Sequence, residues 1–129
     1  MGNSETEATA IARVLEVERQ AGRTPEDVRS SGLPYDVSSP PRKIEMKAFG
    51  GSARGLAIPL EDRQYQAAMQ DPEHFYLYVV DNVAKADEGR MRVRVVHGTA
   101  LRDMLARSRP HITYWPTFRV DEYDAADQM

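Results

Sequence analysis

The stretch LPYDVSSPPRKIEMKAF, residues 33–49, decides how this chain is read. Two runs of alternating apolar and polar residues, Leu33 to Ser38 and Arg42 to Phe49, flank Ser39-Pro40-Pro41. Proline has no N–H and cannot continue a ladder, so the pattern predicts two antiparallel strands joined by a turn. Side chains two apart on a strand share a face, which puts Glu45 and Lys47 together and turns Ile44 and Met46 the other way. A register with Asp36 across from Glu45 would bring two carboxylates and one ammonium into a single small patch.

Working outward, Thr6 to Ala21 carries Ala8, Ile11, Val14, Leu15 and Val17 at near-helical spacing with Gly22 just past its end, a first amphipathic helix. Thr24-Pro25-Glu26-Asp27 has the order of an N-cap, a first-turn proline and first-turn acids, which predicts a short helical connector. Beyond the hairpin, Gly50-Gly51-Ser52 reads as a loop, Gly55 to Leu60 as a third strand and Glu61 to Gln70 as a short helix stopped by Asp71-Pro72. Phe75 to Val80 (FYLYVV) is the most continuous apolar run, as expected of a strand covered on both faces in the middle of a sheet. Met91 to Val96 alternates, Thr99 to Ser108 has helical spacing of Leu101, Met104 and Leu105, and Ile112 to Val120 reads as a last extended segment broken at Pro116. The sum is a mixed α/β sheet flanked by helices: one domain over 1–120, then an acidic tail over 121–129 expected to be solvated and mobile.

The chain has 129 residues, 41% hydrophobic and 29% charged, enough for one core. Without cysteine, disulfides, thiolate nucleophiles and Cys-ligated zinc are excluded. No run approaches the roughly 20 apolar residues of a membrane span, and no secretory signal opens the sequence, so a cytoplasmic protein is expected. The net charge of −3 hides an uneven distribution. Asp121, Glu122, Asp124 and Asp127 crowd the last residues, whereas Arg90, Arg92, Arg94, Arg102, Arg107 and Arg109 face one acid, Asp103.

Two strand carboxylates suit a hard cation such as Mg²⁺, which takes oxygen ligands and keeps several waters. With a phosphate oxygen in its shell the ion would serve phosphodiester hydrolysis, and Lys47 could orient water or stabilise charge on the phosphate. The alternative is a solvated strand face with surface ion pairs worth about 0–1 kcal/mol, and a bare D…ExK pattern occurs often by chance. Arg90, Arg92 and Arg94 alternate on a predicted strand, with Met91, Val93 and Val95 turned inward. They form either a phosphate-contacting stripe or an edge guarded against pairing. His74, His97 and His111 share no metal-ligand spacing. Tyr114, Trp115 and Phe118 could stack on bases or belong to a core or interface.

The blocks Arg23-Thr24-Pro25-Glu26-Asp27-Val28, Tyr35-Asp36-Val37, Lys43-Ile44-Glu45-Met46-Lys47, Leu60 to Ala68 and FYLYVVDNV from Phe75 resemble, in order and spacing, the NO VEIN C-terminal domain family. The resemblance runs from about Ala10 to Val96. It implies a PD-(D/E)xK restriction-endonuclease-like fold and a Mg²⁺- or Mn²⁺-dependent nuclease acting on nucleic acid, with DNA the expected substrate. The family setting it implies is bacterial defence or DNA processing, with a helicase or ATPase subunit or a second copy as partner. Asp36 matches the aspartate of the family's G-Y-D-[IV] block, and Glu45 with Lys47 its I-E-V-K block, the implied metal-binding and catalytic positions. Glu18 matches a helix glutamate and is an implied metal ligand. Gln64 stands where the family commonly has an acid and is an implied active-site group. Pro34 replaces the usual glycine and Ala12 a common first-helix glutamate, which keeps a second expectation open: an inactive nuclease-fold module for nucleic-acid or protein docking.

Overall fold

The computed structural model describes residues 3–129. Helix α1 (Asn3–Gln20) leads into strands β1 (Glu26–Asp27), β2 (Val37–Ser39) and β3 (Arg42–Ala48). Helix α2 (Asp62–Gln70) and strand β4 (Phe75–Asp81) follow. After a 3-10 turn over Val83–Glu88 come β5 (Arg92–His97), α3 (Gly98–Arg107) and a short α4 (Val120–Ala125). The strands form one sheet in the order β1-β2-β3-β4-β5. All neighbours are antiparallel except β3 and β4, which run parallel with α2 in the crossover between them. This is the expected mixed α/β sheet flanked by helices, an arrangement consistent with a restriction-endonuclease-like fold.

Burial on both faces follows from the pleat. On one face Ala10, Ile11 and Val14 of α1 pack on Val37, Ile44, Met46, Tyr78 and Val80. On the other, Ala68 of α2 and Leu101 and Leu105 of α3 cover Phe75, Leu77 and Val79. Alternate residues of FYLYVV thus enter two different cores, which explains its unbroken apolarity.

Several sequence expectations are corrected. Thr24–Asp27 is no helical turn: Glu26 and Asp27 pair with Ser38 and Val37, because the exposed edge of β2 offers a ladder that a lone turn would not. The strand expected from Leu33 shortens to Val37–Ser39. Gly55–Leu60 forms no strand, since both edges of β3 are taken by β2 and β4, although Ile58 and Leu60 still pack on the α2 side. The run FYLYVV is the fourth of five strands, and β3 holds the middle. Met91 and Val93 turn to the α1 core as expected, but Val95 on the same face is 43% exposed, and Val96 on the opposite face packs on the α3 side. Ile112–Val120 pairs with nothing and every residue from Ala106 to Met129 is exposed. Part of the supposed mobile tail is helical, with Arg119 bonded to Glu122 at the start of α4.

Candidate active site

The hairpin register places the acids together. Val37 lies opposite Ile44, and Asp36 N–H donates to the Ile44 carbonyl at 2.8 Å, so Asp36 falls across from Glu45 one step beyond β2. The Asp36 carboxylate is steered by Met46 N–H, which donates to Oδ2 at 2.9 Å. Glu45 shares its register level with Leu77 and faces the α2 side, with only 2% of its surface exposed. Lys47 follows two residues on, its Nζ 3.2 Å from Glu45 Oε2. Gln64, in the first turn of α2, accepts Lys47 Nζ at 3.5 Å and Glu61 N–H at 2.9 Å on the same Oε1. One amide therefore ties the start of α2 to the ammonium.

Asp36, Glu45, Lys47 and Gln64 line an open cleft of about 420 Å³ together with Thr6 and Glu7 from the first turns of α1. Burial raises the Glu45 carboxyl and the neighbouring charge of Asp36 raises it further; Lys47 opposes both, and the outcome is about 8. In the metal-free chain this carboxyl is therefore easier to protonate than an ordinary glutamate. Its Oε1 is buried without a hydrogen-bond partner among the described residues. A buried oxygen without a partner beside a second carboxylate could hold a cation, whose positive charge would offset the repulsion and engage the unused lone pairs. Asp36 and Glu45 thus fit a hard divalent ion, completed by water or phosphate oxygens. Among the described residues no group of three His, Cys, Asp or Glu side chains converges to hold a metal.

Glu18 does not join them. It is fully buried on the α1 face, where its carboxylate accepts Arg23 Nε at 2.5 Å and Nη2 at 2.9 Å, Ser39 Oγ at 3.0 Å and Tyr78 Oη at 2.7 Å. Tyr78 pairs in register with Met46, whose side chain points away from that of Glu45, so the sheet separates Glu18 from the cleft. Burial opposes ionisation of Glu18, but the bonds from Arg23, Tyr78 and Ser39 outweigh it and hold the carboxyl below its ordinary value. Its role is to tie α1 to β2 and β4.

The three predicted stripe arginines also part company. Arg90 precedes β5 and is exposed, Arg92 donates to the Gly89 and Met91 carbonyls, and Arg94 Nε binds Asp81 Oδ1 at 3.1 Å. Sequence reasoning missed Thr6 and Glu7. Only their place in the first turns of an amphipathic helix hinted at them, and Glu7 is held at the cleft by Arg29 at 2.9 Å. Ala12, where the resemblance implies a glutamate, is exposed.

The family described as Protein NO VEIN, C-terminal, matches residues 6–95, and the chain belongs to it. The match runs from within α1 to within β5 and contains Thr6, Glu7, Asp36, Glu45, Lys47 and Gln64 of the cleft. No curated protein and no solved structure matches the chain.

Proposed function

We propose that this member of the NO VEIN C-terminal family is a metal-dependent nuclease domain hydrolysing phosphodiester bonds in nucleic acid, with DNA the first substrate to test. The observation that carries the reading is the unpartnered, buried Oε1 of Glu45 beside Asp36, with the Lys47 ammonium 3.2 Å from the same carboxyl. Asp36 and Glu45 would hold Mg²⁺ or Mn²⁺. Such an ion, when bound, supplies Lewis acidity toward a phosphoryl oxygen and makes its water easier to deprotonate. Lys47 then stands where it can orient the attacking water or balance charge that develops on the phosphate. Gln64 is a positioning residue, because it holds Lys47 while anchored to the backbone at Glu61. Met46 N–H fixes Asp36. In a domain this small, sequence readout would come from a partner such as a helicase or ATPase subunit or from a second copy, in the cytoplasmic setting of bacterial defence or DNA processing.

A second reading, a docking module that has kept the fold, is favoured by one observation: Glu18 is fully committed elsewhere, and among the described residues no third acid converges with Asp36 and Glu45. Cleavage of plasmid and oligonucleotide substrates with Mn²⁺ separates the two. Wild type should cut, and Lys47→Ala should cut about 10²- to 10³-fold more slowly while remaining folded. Equal cutting by both would point to contamination and overturn the nuclease reading, and absence of cutting by wild type would favour the docking module.

A further inference from the structure

Charge and exposed rings are segregated along the chain in a way the cleft does not use. Six arginines from Arg90 to Arg109, followed by Arg119, stand against Asp103 alone. Every other acid lies at or before Glu88 or at or after Asp121. All seven arginines are exposed. Arg94 is drawn to Asp81 and Arg119 to Glu122, but Arg90, Arg102, Arg107 and Arg109 have no such pairing among the described residues. Past α3 the chain leaves the core as an arm, with Tyr114 84%, Trp115 87% and Phe118 65% exposed. Arg107 to Arg119 therefore joins three arginines, no acid and three solvent-facing rings.

We propose that this arm, with the arginines of β5 and α3 beside it in sequence, binds single-stranded nucleic acid by stacking Tyr114 and Trp115 on unpaired bases while the guanidinium groups neutralise phosphates. The cationic lining selects a polyanion over an apolar protein face, and aromatic rings flanked by arginine suit bases in particular. Base faces are open only in a single strand. A duplex presents groove edges to a helix or ribbon, which Pro110 and Pro116 keep this segment from forming. The family match ends at residue 95, so the arm is not part of what the family shares. The inference rests on the proposed nucleic-acid role of the cleft and names its substrate class, but binding by the arm is measured apart from cutting.

Trp115 is the sole tryptophan and reports directly. In EDTA, oligothymidylate of about 12 nucleotides should quench its emission, and labelled-oligonucleotide anisotropy should show Trp115→Ala and Tyr114→Ala binding about fivefold to a hundredfold more weakly than wild type. The log–log salt slope should steepen by about −0.7 per neutralised phosphate. Oligouridylate in the same assay separates RNA from DNA, and either bound in this way supports the inference. Unchanged affinity in both ring variants, duplex bound as tightly as single strand, or a concentration-dependent blue shift without nucleic acid, which would mean a second copy covers the arm, would each overturn it. If Lys47→Ala cuts like wild type while the ring variants still bind weakly in EDTA, the cleft reading fails and the arm's binding stands.

Discussion

Glu45 is the residue on which burial, charge and chemistry meet. Its carboxyl, ordinarily near 4.5, is pushed to about 8 by burial and by Asp36. A group with raised folded affinity for its proton stabilises the fold fully below its unfolded value and loses that contribution as pH rises through the folded one. Metal-free protein should therefore lose stability between about pH 5 and 8, on the order of 2–4 kcal/mol from this group. Glu45→Gln should abolish most of the decline, giving a higher melting temperature than wild type at pH 8 in EDTA. A parallel decline in both proteins would show that Glu45 is not the titrating group. Glu18 works in the opposite sense: held below its ordinary value, it stabilises above about pH 4.5 and stops doing so in acid. Asp36, Glu45 and Lys47 were legible as a trio because strand alternation and a proline turn suffice to put them on one face. Glu18 was not, since nothing in its helical spacing tells which side of the sheet α1 covers.

At the scale of elements, the buried Glu18 network and the start of α2 make separable predictions. Tyr78→Phe removes a 2.7 Å donor from a fully buried carboxylate and frees Arg42, which donates to Tyr78 Oη at 2.7 Å. The expected cost is about 1.5–3 kcal/mol in urea unfolding, with no change in cleavage rate. Gln64→Ala removes the acceptor for Glu61 N–H and for Lys47, so we expect about 1 kcal/mol of lost stability and a cleavage rate about tenfold or more below wild type. Equal rates would show that Lys47 needs no support from α2. The elements read correctly from sequence were those with a strong local pattern: α1, the hairpin, α2, β4 and α3. Those misread depended on which ladder edge was free. Glu26–Asp27 became a strand because β2 had an open side, and Gly55–Leu60 did not because β3 had none. No local pattern carries that information.

For the whole molecule, the matched residues 6–95 hold β1 to β4, α2, most of α1 and β5 and the cleft's carboxylates, Lys47 and Gln64, and no helix among the described residues is long and apolar enough to cross a membrane. The arm contributes no burial. Removing residues 109–129 should leave the melting temperature within a few degrees of the full chain, since nothing there is packed; a large drop would mean the arm braces the body. The mixed architecture was readable from the order of elements, whereas its two-sided packing and the placement of the α1 N-terminus at the cleft required the assembled sheet. The central claim is that Asp36 and Glu45 together grip a divalent ion. Calorimetric titration of Mn²⁺ into metal-free wild type and Glu45→Gln at pH 7.5 tests it most directly. One site in wild type, with proton release and with binding lost in the variant, is the predicted result; identical isotherms from the two proteins would contradict it.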